Sequence, residues 1–212
     1  MDRIKATKTA RLADDCHKRF SLYESVKNAI ANTDREEFVP AGFRHNAYKL
    51  DALPLSSAQW ISSPLTVAKM THYLEPNGAD RVLEVGCGSG YQAAVLSHLF
   101  RGVFTIERIE PLMIEAKSRF RKLNISNIHA RTDDGQNGWL QYAPYDRILF
   151  SATAKEIPLK LFEQLADGGI LVAPMQVGSK QVITRFKKLG SSFEKEELEE
   201  CDFVPILNGI QK

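Results

Sequence analysis

In the stretch Arg81-Val82-Leu83-Glu84-Val85-Gly86-Cys87-Gly88-Ser89-Gly90-Tyr91, a carboxylate precedes three glycines set at alternate positions. Glycine has no β-carbon, so such a backbone can turn sharply and let a ligand approach where side chains would collide. Val82, Leu83 and Val85 form an apolar run of strand length, which puts the glycines where a buried strand gives way to a helix. Small nucleotide-like cofactors bind at such turns. Glu84 adds an acceptor that can face a cationic group or a hydroxyl across the glycines, and Cys87 and Ser89 fill the positions between them. A second apolar run, Gly102-Val103-Phe104-Thr105-Ile106, ends in Glu107 and Arg108. An acid about 20 residues beyond a glycine loop is placed to read a ribose diol. A third run, Asn127 to Arg131, leads into Thr132-Asp133-Asp134-Gly135-Gln136-Asn137-Gly138. That loop suits an adenine edge, and it equally suits an Asp-Gly turn chosen for backbone geometry.

Two cofactor classes compete for the glycine loop. A dinucleotide fingerprint needs its third glycine, or an alanine, three residues after the second, so that helix and strand pack closely under a pyrophosphate. Position 91 is tyrosine, which weakens a nicotinamide reading. The pattern E-x-G-x-G-x-G instead resembles the first motif of the S-adenosylmethionine-dependent methyltransferases, whose cofactor carries no pyrophosphate. A glycine-rich turn with no ligand is the plain alternative.

The rest of the composition narrows the field. The chain has 212 residues, 43% of them hydrophobic, enough for one sizeable core and a single domain. Lys+Arg 28 against Asp+Glu 26 leaves a net charge of +2, a balance that disfavours nucleic acid as a partner and gives no basic field for an anionic membrane. There is no apolar run of about 18 residues and no signal-type stretch near Met1, so a soluble, cytoplasmic chain is expected. Cys16, Cys87 and Cys201 are widely spaced and the five histidines show no ligand spacing, so neither a disulfide framework nor a metal site is expected.

Residues 1 to about 32 predict a helix, because Phe20, Tyr23, Val26, Ala29 and Ile30 recur at helical spacing. Its basic start, Arg3, Lys5, Lys8 and Arg11, reads as a solvated face. Tyr48 to Pro64 is an irregular segment holding Ser56-Ser57-Ala58-Gln59-Trp60-Ile61-Ser62-Ser63, the kind of serine-rich loop around a tryptophan that lines sites. A helix then runs from Ser63-Pro64 through Leu74, where Ser62 or Ser63 serves as its cap. From residue 81 strands near 81–86, 103–107, 127–131, 146–151 and 170–174 alternate with helices near 90–99, 110–123 and 157–166, the last ending at Gly168-Gly169. The expected fold is α/β, a mostly parallel Rossmann-like methyltransferase sheet with helices on both faces. Gln181 to Phe186 and Glu200 to Leu207, split by Gly190-Ser191-Ser192, predict an appended antiparallel hairpin. The acidic run Glu194 to Glu200 between them reads as a solvated edge that discourages edge-to-edge pairing. Residues 1–78 form a helical, substrate-side extension, and 79–212 the cofactor-binding core with the hairpin.

Outside the glycine loop, Arg35-Glu36-Glu37-Phe38-Val39-Pro40, Ala47-Tyr48, Leu53-Pro54, Gln59-Trp60-Ile61-Ser62-Ser63-Pro64, Asp134-Gly135-Gln136-Asn137-Gly138, Ala143-Pro144-Tyr145-Asp146, Ile157-Pro158 and Phe203-Val204-Pro205-Ile206 occur in that order. Together they resemble the protein-L-isoaspartate O-methyltransferases from about residue 15 to the C-terminus. The resemblance implies repair of damaged protein: a methyl group passes from S-adenosylmethionine, which leaves as S-adenosylhomocysteine, to the free carboxylate of an L-isoaspartyl residue in a protein or peptide. It implies a catalytic role for Ser62, hydrogen-bonded to the substrate carboxylate, with Gln59, Trp60, Ile61, Val204 and Pro205 forming the substrate cleft. Glu84, Gly86, Cys87, Gly88, Ser89, Gly90, Glu107, Arg108, Asp134 and Gly135 fall at cofactor positions. A monomer is expected. This chain departs from the family pattern at Ala58, where glycine is usual, at Trp60, where threonine is usual, at Leu50, with Asp51 one place beyond the usual acid, and at Asp133, which sets two carboxylates side by side. A methyltransferase with another acceptor, and a pocket that binds cofactor without turnover, are the competing readings.

Overall fold

The computed structural model describes residues 3–212, and the first two residues of the expected N-terminal helix lie outside it. Its centre is strand β3, which the apolar run before the glycines forms as Arg81–Val85. In chain order the named elements are α1 (Arg3–Arg19), α2 (Glu24–Ala31), β1 (Leu53–Pro54), β2 (Trp60–Ile61), α3 (Pro64–Tyr73), β3, α4 (Tyr91–Leu96), β4 (Gly102–Glu107), α5 (Glu110–Lys122), β5 (Ile128–Thr132), β6 (Tyr145–Phe150), α6 (Leu159–Gln164), β7 (Leu165–Val177), β8 (Lys180–Leu189) and β9 (Ser192–Cys201).

Seven strands pair in the order β5-β4-β3-β6-β7-β8-β9. Strands β5 to β7 of that order run parallel, and β8 and β9 are added antiparallel. The chain leaves β3 toward β4 and β5, then returns to its other side as β6. The order therefore reverses between β3 and β6, and the crevice at the carboxyl ends of those two strands is where an open α/β sheet binds its ligand. Successive side chains of β3 serve opposite faces: Val82 joins the core under α1 to α5, while Leu83 and Val85 join the core under α6 and the 139–145 segment.

The structure corrects the expected elements at five places. The N-terminal helix is broken into α1 and α2, because the chain must turn at 20–23 for Leu12, Ala13 and Cys16 on one piece and Val26, Ala29 and Ile30 on the other to enter the core. His17 Nδ1 accepts the Leu22 N–H at that turn, 3.2 Å. The 48–64 segment holds a small antiparallel pair, β1 with β2. Gly168-Gly169 lie inside β7, in a bulge between the Tyr145–Leu165 and Arg147–Ile170 pairings, so α6 ends earlier, at Gln164. Most visibly, the acidic run is no connection: Gly190 and Ser191 make a tight turn, Leu189 pairs Ser192, and Glu194 to Glu200 form the edge strand itself. Basic residues of β8 make this possible, with Arg185 opposite Glu196 and Lys180 bonded to Glu200. Residues 203–207, expected to be strand, run as an extended strap with a single bridge, Thr153 to Pro205.

Candidate active site

The glycine loop is shaped by the end of the sheet. The N–H groups of Gly86 and Cys87 both donate to the Ile106 carbonyl, 2.9 and 3.2 Å, and the Ser151 N–H donates to Val85 O, 2.9 Å. Gly86, Gly88 and Gly90 have φ of 96, 53 and 90°, left-handed values that glycine adopts without steric cost. The three glycines do different work. A β-carbon on Gly88 would meet only Leu55 Cδ2, 3.9 Å away, so the space above it is open. On Gly90 it would lie 2.7 Å from the Phe120 ring, so that glycine serves helix packing. Gly135 also needs its bare backbone, since a β-carbon would sit 2.5 Å from Val85 Cγ1.

Glu107, at the end of β4, is nearly buried and holds the loop by accepting the Gly88 N–H on Oε2, 2.8 Å, and the Ile109 N–H on Oε1, 2.9 Å. Its carboxylate closes one side of a cavity of about 1030 Å³, counting the space open to solvent at the mouth. Gly86, Cys87, Gly88, Ser89, Glu107, Arg108 and Gly135 line one wall, and Gln59, Trp60, Ile61, Ser62, Val204 and Pro205 line the other. The sequence reading missed Ser151 and Ala152, which follow β6 at the same carboxyl edge, and Tyr91, Gln92, Met70 and Leu207. The rule that ligands sit at the carboxyl ends of parallel strands was a signal for the first two.

Three expected cofactor residues lie off the cavity wall. Glu84 is fully buried in the sheet, where Oε2 accepts the Thr105 hydroxyl and Oε1 has no partner. Burial chiefly, with the nearby Glu107 charge adding to it, pushes its carboxyl up to about 8, and the Thr105 bond opposes the rise. Gly90 faces Phe120. Asp134 spends its carboxylate inside the chain: Oδ1 accepts the Gln136 N–H, 3.0 Å, and Oδ2 the Gly209 N–H, 2.9 Å. Asp133 does not crowd it electrostatically, because its carboxylate turns to Arg131, 2.9 Å. Cys87 lines the cavity but its thiol is buried, which pushes its pKa well above the ordinary range.

The opposite wall is irregular. In the β1–β2 turn, Ser57 and Ala58 have φ of 59 and 54°, and the Leu55 N–H closes onto Gln59 O, 2.8 Å. The glycine that the family pattern has at position 58 fits this left-handed backbone. Trp60 projects from the turn, 56% exposed, at the mouth of the cavity. Ser63, not Ser62, caps α3, its hydroxyl accepting the Thr66 N–H, 3.0 Å. The Ser62 hydroxyl is thus left for the cavity, with no hydrogen-bond partner among the described residues. The strap is fixed from behind: Thr153 N–H donates to Val204 O and the Ile206 N–H to Thr153 O, each 2.8 Å. Its far end reaches Arg108, whose Nε donates to Gly209 O, 2.9 Å.

A family model described as protein-L-isoaspartate(D-aspartate) O-methyltransferase (PCMT) matches residues 7–211. The chain belongs to this family. A protein-L-isoaspartate O-methyltransferase of Helicobacter pylori (strain G27) is 54% identical over 209 residues, covering 98% of this chain and 100% of the relative. One of Shewanella piezotolerans is 42% identical, covering 99% of both. Among solved structures, a protein-L-isoaspartate O-methyltransferase superposes with a TM-score of 0.85 at 25% identity, over 94% of this chain and 66% of that one. A Plasmodium falciparum structure named as a putative family member in complex with S-adenosyl-L-homocysteine shares the fold, with a TM-score of 0.81 at 22% identity over 94% of this chain and 98% of that one. PCMT membership decides between the cofactor classes that the glycine loop alone left open. Among the described residues no group of three His, Cys, Asp or Glu side chains is placed to hold a metal ion, and no helix is long and apolar enough to cross a membrane.

Proposed function

We infer that this protein is a repair methyltransferase that transfers a methyl group from S-adenosylmethionine to the free carboxylate of L-isoaspartyl residues in damaged proteins and peptides. The observation that carries the residue assignment is the unpaired Ser62 hydroxyl facing the glycine loop across one cavity. The cavity fits the cofactor: open space above Gly88 admits a ligand against the backbone, and Glu107 presents its carboxylate where a diol would sit. When bound, S-adenosylmethionine supplies an electrophilic methyl carbon on a sulfonium.

The chain's residues have little proton chemistry to do. An aspartyl-type carboxylate, with a pKa near ~4, is already an anion at neutral pH, so its oxygen attacks without a general base. The enzyme's task is alignment and exclusion of water. On this reading Ser62 donates a hydrogen bond to the acceptor carboxylate and fixes its direction, while Gln59, Ile61, Val204 and Pro205 hold the peptide. Gly86, Cys87, Gly88, Ser89, Glu107, Arg108 and Gly135 hold the cofactor, and Glu84, Gly90 and Asp134 shape the loops that do so. Trp60 narrows the mouth and selects among peptides. Near-balanced charge supports a polypeptide and not a nucleic acid as partner, and three free cysteines suit the reducing cytoplasm. The protein acts as a monomer, since one chain supplies both walls.

The test is transfer of labelled methyl to two short peptides that differ only in having isoaspartate or aspartate at one position. Label confined to the isoaspartyl peptide is expected. Equal labelling of both would point to another acceptor, and labelling of neither, with S-adenosylhomocysteine still binding, to a pocket without turnover.

A further inference from the structure

Arg35 lies behind the acceptor wall, fully buried, and its guanidinium faces main-chain carbonyls where a carboxylate would be expected. Nη1 donates to the carbonyls of Ala47, 3.0 Å, and Lys49, 3.4 Å. Nη2 donates to those of Asp51, 2.9 Å, and Ser62, 3.1 Å. Nε is buried without a partner, and the Tyr91 ring lies 5.8 Å from the guanidinium carbon. Among the described residues Arg35 makes no ion pair, although thirteen such contacts occur elsewhere.

Burying a cation is costly unless it is paired, and arginine stays charged even there. Holding a loop by its carbonyls does not require that charge, since neutral donors would serve. What the charge adds is a positive potential in a low-dielectric wall, where it is screened least. Ser62 and Tyr91, which touch Arg35 on two sides, both line the cavity. The cation is therefore one residue's thickness from the place where an anionic acceptor would lie.

We propose that Arg35 is a positioning residue for the acceptor: its fork fixes Ser62 through that residue's carbonyl, and its unpaired charge draws the isoaspartyl carboxylate to the wall. The proposal rests on the methyltransferase reading above and deepens it. It predicts a split, since Arg35 touches the acceptor wall and makes no hydrogen bond to the glycine loop.

The experiment compares wild type, Arg35→Lys and Arg35→Met, measuring S-adenosylhomocysteine affinity by calorimetry and kcat and KM with an isoaspartyl peptide, each also in a Ser62→Ala background. Wild-type methylation of that peptide is the control for the functional reading, and its failure sinks that reading independently. Arg35→Met is expected to raise KM for the peptide about tenfold or more, with Arg35→Lys between it and wild type because lysine keeps the charge and loses the fork. Cofactor affinity should stay within about twofold, and the KM effect should shrink when Ser62 is alanine, because coupled residues are not additive. An unchanged KM in Arg35→Met overturns the assignment whatever happens to kcat. Loss of cofactor binding or of the folded state in both variants also overturns it, making Arg35 a structural post alone.

Discussion

The glycine loop takes its shape from the parallel sheet beneath it, whereas the wall opposite, made by the short β1–β2 hairpin and the 203–207 strap, lies outside the seven-stranded sheet and hangs on distant ties. Ile106 and Val85 carbonyls set the loop from neighbouring strands. Ser62 depends on Arg35, and Val204 and Pro205 on Thr153 and Gln181. A wall set by a backbone ladder tolerates side-chain change and fails at its glycines. A wall set by ties from distant parts of the chain fails at residues far away in sequence.

The largest effects should separate two glycines of one loop. Gly88→Val puts a branched side chain into open cavity, and S-adenosylhomocysteine affinity should fall at least ~100-fold by calorimetry, with about 1–2 kcal/mol of stability lost to left-handed strain. Gly90→Ala should instead cost about 2–4 kcal/mol of stability in urea unfolding, from strain and collision with Phe120, while what remains folded binds cofactor. Comparable loss of binding in both variants would dissolve the distinction.

The adjacent serines sharpen the comparison on the other wall. Ser62→Ala should lower kcat/KM about 10- to 100-fold, the value of a hydrogen bond to a charged group, with cofactor affinity intact. Ser63→Ala should leave turnover alone and cost about 1 kcal/mol as a lost helix cap. The reverse result would make Ser62 the structural residue.

Glu84 supplies a pH test of the sheet side. Its folded pKa, about 8, lies above the unfolded value of about 4.5, so the folded state retains a proton that the unfolded state releases. Stability from this group is therefore greatest below pH 4.5 and declines as pH rises toward 8. Glu84→Gln should flatten that decline in urea midpoints measured between pH 6 and 9, and an unchanged slope would place the titrating group elsewhere. The smallest effect expected is at Ala58, where glycine would relieve the left-handed φ of 54° and raise stability by about 0.5–1 kcal/mol.

This division also explains what could be read from sequence. The strands and the glycine loop announced themselves because apolar runs, glycine spacing and strand-end acids are local signals. Arg35 stood in one of the family motifs but with nothing to show its role, since its partners are carbonyls at positions 47, 49, 51 and 62, which carry no residue identity. The surroundings of Glu84 and Asp134 were illegible for a related reason: the types fit a cofactor, and the bonds to the Thr105 hydroxyl and the Gly209 N–H form only in three dimensions. The acidic strand β9 was hidden because its charges are balanced by β8 and α3, through Arg185, Lys180 and Lys69, residues that no short window includes.

The buried thiol of Cys87 has a consequence for endurance. Peroxides and disulfides react with thiolates, and burial keeps this sulfur protonated, as it does for Cys16 and Cys201, pushed up to about 12 and about 11. The loop that must stay open above Gly88 is thereby shielded from sulfenic acid and mixed-disulfide adducts that would fill it. A catalyst that corrects ageing in other proteins carries its own oxidisable atom in the form that ages most slowly.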